Sequence, residues 1–301
     1  MTSRGGRFEP APQAGADVPP DDRTTRIVAP IAATTDLSDR AGIDLSLRRG
    51  RVSLGPGLLV EEDRVRRLAD LAPVLAEPVG RHGRRVEYRM LNGVRRAGDA
   101  ALADLPLRYE LTAMGGRPIG SEAARTFGHV HVRPPGARLG FPEIVEVVHG
   151  EAGFLVQDLR RAAAGPRSTA AWLVRARAGD WVILPPELAH VTIDLGAGPL
   201  VFSDVIDRRA TGIYAGVAEA SGFAWLVGRA GRLVRNPRYA EVPRLVEIEA
   251  AEWSGPAGGV LYRMFRQDPE RFGWLSDPAA FPTVAPALWE RVRAAIGVAA
   301  A

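Results

Sequence analysis

The sequence predicts an all-β barrel or sandwich, and three observations carry that expectation. From Arg85 to about Asn236, short runs rich in Val, Ile, Leu and aromatic residues are separated by Gly, Pro and Asp at intervals of about eight to twelve residues. The gaps are too short for crossover helices, so neighbouring runs pair as antiparallel hairpins rather than as a parallel sheet. No segment of about 20 to 50 residues repeats, which excludes a solenoid or a propeller.

Taken in chain order, residues 1–40 combine clustered Pro and Gly with mixed charge and a single aromatic, Phe8. Such a segment cannot repay the entropy of ordering by itself and is expected to be a flexible N-terminal arm. The barrel domain is expected over 41–243. It opens with Ile43–Leu47, alternating apolar and polar as a half-buried strand does, a turn at Arg49-Gly50, and a second strand Val52–Leu54. Leu58–Ala72 is predicted as a helix, because Val65, Leu68 and Leu71 are spaced by three and Glu61, Glu62 and Asp63 suit the positive end of a helix dipole. The strand runs follow: Val86–Leu91, Leu107–Met114, Phe127–Val132, Ile144–His149, Gly153–Gln157, Ala170–Arg175, Trp181–Leu184, His190–Leu195, Leu200–Ile206 and Phe223–Val227. Residues 244–301 form a C-terminal extension whose aromatics Trp253, Tyr262, Trp274 and Trp289 read as core anchors. It ends in a helix over Pro286–Ile296, with Leu288, Val292 and Ile296 repeating every four.

Composition narrows the chemistry. The 301 residues, 46% hydrophobic, suffice for one large domain or two modest ones. Lys is absent, so all 39 cationic side chains are Arg, set against 35 Asp and Glu for a net charge of +4. Schiff-base, pyridoxal and Walker-type phosphate-loop chemistry all need an ammonium this chain lacks. With no Cys, thiol nucleophiles, iron–sulfur clusters and thiolate zinc sites are excluded as well. The apolar patch Ile27–Ala33 is broken by Pro30 and lacks a signal-peptide layout, and no stretch approaches the roughly 18 to 20 apolar residues of a membrane span. A cytoplasmic protein with no membrane partner is expected. Arg64–Arg67 and Arg81–Arg85 sit among Glu61, Glu62, Asp63 and Glu87 without interleaved aromatics, so they read as solvated faces and no nucleic-acid partner is expected.

Five histidines occur, and three fall into an arrangement with metal-ligand logic. His129 and His131 are two apart in a strand-like run, so their imidazoles share a face. Glu143 and Glu146 precede the turn at Gly150, and His190 follows the turn after Gly179. Glu143 and Glu146, three apart, would face opposite sides of a strand, so one of them meets the metal unless a bulge intervenes, and Glu143 is favoured. His149 beside Gly150 reads as a turn residue, and His82 as part of a solvated loop.

These spacings resemble the cupin superfamily: His129-x-His131 with Glu143 and Gly150 for its first motif, and Gly179, Pro185 and His190 for its second. A more specific resemblance, over Ile43 to Tyr239, is to the cupin-type glucose-6-phosphate isomerases of archaea and some bacteria. It is carried by Ile43-Asp44-Leu45, Arg66–Asp70, Thr112, Thr126-Phe127-Gly128-His129-Val130-His131, Glu143–Glu146, Gly153–Gln157, Pro185-Pro186 to Ala189-His190, and Asn236–Tyr239. The resemblance implies a cupin (double-stranded β-helix) barrel binding one divalent metal ion (Fe, Mn, Ni or Zn) through His129, His131, Glu143 and His190. It implies aldose–ketose isomerisation of a sugar phosphate in carbohydrate metabolism, the metal stabilising an enediolate while a proton or hydride moves between adjacent carbons. Thr112, Thr126 and the Gly128 backbone would hold the phosphate, Glu143 or Glu146 would carry the proton, and Tyr214 would complete the catalytic set. A homodimer is implied too.

The same resemblance exposes departures. Family members commonly have Tyr where Val145 stands, Tyr near Ile206 and His near Gly212; the insertion Arg133–Phe141 is long, Ala123 stands where the first motif often has Gly, and Glu187 takes a common Gly position. With that pocket, two other readings stand beside the isomerase: a divergent metal-dependent cupin enzyme of specialised metabolism, and a non-catalytic sugar-binding cupin.

Overall fold

The structure, a computed structural model, describes residues 34–297. Of the expected arm, positions 1–33 lie outside the described residues, and the remainder is built into the fold. Thr35–Asp36 pairs antiparallel with Leu45–Arg48, which pairs in turn with Arg51–Leu54, and Ser38–Ala41 makes one helical turn between the first two. Leu37 and Ala41 are buried, which anchors this stretch despite its polar neighbours.

Ten strands make the barrel: β1 (Glu62–Arg67), β2 (Val86–Asn92), β3 (Leu107–Met114), β4 (Glu143–His149), β5 (Glu151–Gln157), β6 (Ala171–Arg177), β7 (Trp181–Leu184), β8 (Ala189–Asp194), β9 (Leu200–Asp207) and β10 (Leu245–Glu249). One sheet has the order β7-β4-β9-β3-β2-β1, the other β8-β5-β6-β10. Every pairing is antiparallel except β6 with β10. Facing one another, the two sheets form the cupin barrel that the resemblance implies.

Strand alternation decides what lies inside. On β4, Val145 and Val147 join the core between the sheets, where Phe154, Val156, Leu173 and Val182 also sit. Ile144 and Val148 point the other way, into a second core on the outer face of the six-stranded sheet. That outer core is closed by Ile43, Leu45 and Leu47 from the N-terminal strands and by Leu261, Tyr262, Phe265 and Phe272 from the C-terminal extension. Covered on both faces, β4 and β9 are buried almost end to end, so the polar side chains among their apolar ones, Glu143, Glu146, Ser203 and Asp204, are buried too.

Two sequence expectations need correction. Leu58–Ala72 is not a helix: β1 occupies Glu62–Arg67, and only Leu68–Leu71 is α-helical, followed by a 3-10 turn. Val65 lies opposite Arg89 and is 42% exposed, whereas Leu68 and Leu71 are buried, so the spacing by three does not mark one helical face. Cross-strand partners win locally, with Arg89 donating to Asp63 at 2.8 and 2.6 Å. The short helix begins where the Asp70 carboxylate accepts from the Arg67 N–H at 2.8 Å. The second correction concerns the extension from 244, which begins as β10 and completes a barrel sheet before turning helical over Ala250–Ser254, Leu261–Gln267, Phe281–Val284 and Pro286–Val292. Trp253 and Tyr262 are buried anchors, and Trp274 and Trp289 pack against the core, as the aromatic pattern predicted.

Candidate metal centre

The His129–His131 segment runs beside β8, the edge strand of the four-stranded sheet. His129 exchanges backbone hydrogen bonds with His190 of β8 (3.0 and 2.9 Å), and Val130–His131 pairs with Gly212–Ile213. Gly128 enables this path: its φ of +86° suits glycine, and a Cβ there would stand 2.5 Å from Phe223 Cε2. Gly212 leaves space on the other side, since a Cβ would meet His129 Cδ2 at 2.8 Å.

The four residues expected to bind metal come together. One ligand atom from each of His129, His131, Glu143 and His190 lies within 4.8 Å of the others. The two Nε2 atoms of His129 and His131 are 3.0 Å apart, and Glu143 Oε2 lies 3.4 Å from His131 Nε2 and 3.7 Å from His190 Nε2. His131 Nδ1 is 3.0 Å from the Phe141 carbonyl, which fixes its Nδ1–H tautomer and leaves Nε2 free. His190 Nδ1 faces the Leu188 carbonyl, at 3.4 Å, and its buried Nε2 has no hydrogen-bond partner. Backbone carbonyls behind and free imidazole nitrogens in front form the support that metal-binding histidines use. The set therefore fits a divalent cation, and three nitrogens with one carboxylate suit a transition metal.

Electrostatics favour ligation by the histidines. Lost hydration pushes the His131 imidazolium down to about 4, opposed by the Phe141 carbonyl. His129 falls well below its ordinary range through lost hydration and then His190 and His131, and His190 does so through burial and then His131. The imidazoles are thus neutral at pH 7 and ready to ligate. Glu143 is raised to about 8 by burial, then by Glu110.

The centre opens on a cavity of about 290 Å³. Thr112, Thr126, Gly128 and Tyr214 line it, as expected, with the Tyr214 ring 5.3 Å from that of His129. Glu146 does not: on the opposite face of β4, its Oε2 accepts from the Leu261 N–H at 3.0 Å, in the outer core. The irregularity in β4 falls at Val147/His149, beyond Glu146, so nothing reverses its face. Glu146 is therefore not a proton carrier for this cavity. His149 and His82 stand apart from the centre, as predicted. Glu187, at φ +69°, adopts the conformation for which glycine is common; its carboxylate is fixed by Arg133 and by the Gly140 N–H at 2.7 Å, tying down the Arg133–Phe141 insertion.

Sequence reasoning missed Glu110 and Asp204, which also line the cavity. Period-2 alternation was the available signal, since Glu110 is two residues from Thr112 and Asp204 two from Ile206. Asp204 is driven well above its ordinary range by burial, then by Glu110 and Glu143, with Arg108 opposing.

A family model described as glucose-6-phosphate isomerase (GPI) matches residues 65–244. The glucose-6-phosphate isomerase of Thermococcus onnurineus (strain NA1) is 30% identical over 139 residues, 45% of this chain and 66% of that protein. That of Pyrococcus furiosus is 29% identical over 136 residues, 44% of this chain and 65% of that protein. The chain thus spans just under two thirds of the length of the curated relatives it matches. Among solved structures, oxalate decarboxylase from Bacillus subtilis aligns at 15% identity over 42% of this chain and 28% of that one, with a TM-score of 0.27.

Proposed function

The chain belongs to the glucose-6-phosphate isomerase family, and on that premise we propose that it isomerises a phosphorylated aldose to the ketose. The observation that carries this reading is the convergence of His129, His131, Glu143 and His190 at the wall of a cavity large enough for a hexose phosphate. A divalent cation held by these four would supply Lewis acidity toward the carbonyl and the neighbouring hydroxyl, acidifying the C–H of the carbon that bears that hydroxyl.

The chain's own groups do the rest. Thr112 and Thr126 offer hydroxyls, and Gly128, without a Cβ, offers close approach for the phosphate. Arg66 supports that end: its guanidinium lies 5.1 Å over the Tyr214 ring, and among the described residues it has no ion-pair partner. Of the two carboxyls that the resemblance puts forward, Glu143 is the one placed to move a proton, because Glu146 faces away and a base must reach the reacting carbons. Tyr214 orients the substrate beside His129. A homodimer and a cytoplasmic site of action follow from the same reading; no helix among the described residues is long and apolar enough to cross a membrane.

The test is incubation of the metal-loaded protein with glucose 6-phosphate or a related aldose phosphate in heavy water. Deuterium at the carbon next to the carbonyl, together with ketose formation, is expected. Metal-replete protein that yields neither product nor label with any aldose phosphate refutes the assignment. Elemental analysis of the protein as isolated, beside a His129→Ala/His131→Ala pair, tests the ligand set directly.

A further inference from the structure

Aldose–ketose isomerisation needs a base that can take a proton from carbon, and Glu143 would have to be that base and a metal ligand at once. A carboxylate that gives its electron pair to a cation holds a proton weakly. The cavity offers other carboxyls, for Glu62, Glu110 and Asp204 line it as well. Arg64 holds Glu62 at 2.6 Å and Arg108 holds Glu110, and a neighbouring guanidinium favours the carboxylate over the acid. Asp204 is engaged by neither. It is 4% exposed, and among the described residues its carboxyl has no hydrogen bond and no ion pair; its oxygens are not sealed in the wall but open on the cavity.

Register puts this carboxyl beside the metal centre. On the paired strands β4 and β9, Val145 stands opposite Asp204, and Glu143 lies two residues from Val145 on the same inward face. Glu143 and Asp204 are thus diagonal neighbours, a relation that sets Cβ atoms about 7 Å apart. A substrate carbon held at the metal centre would lie within reach of both. Burial, then Glu110 and Glu143, raises the proton affinity of Asp204, which suits a group that must take a proton from carbon. Once Glu143 is a ligand its charge is balanced, so it no longer holds a proton on Asp204, and the carboxylate form becomes available.

We propose that Asp204 is the catalytic base, taking the proton from the hydroxyl-bearing carbon next to the aldehyde and returning it to the aldehyde carbon. This rests on the isomerase reading of the same cavity and leaves Glu143 a single role, that of ligand. As the C–H bond breaks, its electron pair becomes the carbon–carbon double bond of an enediolate, and the carbonyl pair moves onto the first oxygen. The protonated Asp204 then gives its proton to the former aldehyde carbon, the double-bond pair forming the new C–H bond. The hydroxyl proton passes from the second oxygen to the first, and the pair it leaves behind closes the ketone. No oxidant, reductant or co-reactant is consumed.

The test compares the metal-loaded full chain with Asp204→Asn on glucose 6-phosphate in heavy water, alongside elemental analysis and calorimetric titration with the same sugar. The variant should lose about 100-fold or more in kcat, with solvent deuterium at the carbon next to the carbonyl falling in step. Its KM and its affinity for the sugar should stay within about threefold of wild type, with bound metal unchanged. In Asp204→Ala, which leaves room beside the substrate, added formate should restore turnover by about tenfold, a response that a merely structural side chain would not give. A kcat for Asp204→Asn within about fivefold of wild type overturns the proposal, as does a loss confined to KM or one that follows lost metal. Wild type that forms ketose without solvent label overturns it as well and leaves the isomerase reading standing. Wild type that yields neither ketose nor label with any aldose phosphate sinks the isomerase reading, and the proposal with it. Should Asp204→Asn not fold, the rescue of Asp204→Ala decides, and indifference to formate overturns the assignment.

Discussion

Glu146 makes stability depend on pH in a direction opposite to that of a salt-bridged carboxylate. Burial raises it from an ordinary 4.5 to about 7, opposed by the Leu261 N–H. The folded state therefore holds a proton that the unfolded chain has already released. The stabilisation from that proton is complete below 4.5, declines between 4.5 and about 7, and is gone above. Each tenfold change in proton affinity is worth about 1.4 kcal/mol, so the whole decline is on the order of 3 kcal/mol. Glu146→Gln removes the ionisation while retaining an oxygen to accept from Leu261. Wild type and variant should be similar near pH 4.5, and the variant should gain by about that amount by pH 8. At roughly 2 °C per kcal/mol for a chain of this length, the separation in Tm is on the order of 6 °C. Thermal melts of both proteins at half-unit steps across this range decide the matter, and because other buried carboxylates titrate in both, their contributions cancel in the difference. Parallel Tm curves would refute the reasoning, and a variant that loses ground with rising pH would reverse its sign.

Other outcomes follow from the same geometry. With its imidazoles already neutral and Glu143 raised to about 8, metal uptake at pH 7 should release close to one proton, and apparent affinity should climb about tenfold per pH unit up to 8 and then flatten; competition against a chelator and titration in buffers of different ionisation heat measure both. Gly128→Ala forces a Cβ toward Phe223 and strains a left-handed backbone by about 1 to 2 kcal/mol, so kcat/KM for the sugar phosphate should fall at least fivefold. Trp253→Ala empties a buried site packed on Trp172 and removes the indole bond to the Ile183 carbonyl, at 2.9 Å; chemical denaturation should show a loss of about 3 to 5 kcal/mol with bound metal unchanged in the folded protein.

What could be read from the sequence follows from which interactions are local. β3 and β7 were predicted at their observed ends because Gly, Pro and Asp punctuate them and both faces of the sheet they join are covered. β1 was misread because an exposed edge strand carries charge at nearly every position, and charge carries no period; its identity comes from pairing with β2, whose partners lie about 20 or more residues away. β10 escaped for a related reason, since its parallel pairing with β6 spans more than 70 residues and nothing near Leu245 announces it. The metal set was legible because three scarce imidazoles and Glu143 fall at fixed spacings, and scarcity makes spacing informative. Glu110 and Asp204 are common residue types, and their meaning lies in register: one opposite the other, both turned inward beside Thr112 and Ile206. The four ligand side chains meet as the resemblance implied, while Ile206 and Gly212 stand in the cavity wall near the positions where it puts Tyr and His, and Val145 lies in the core between the sheets rather than in that wall.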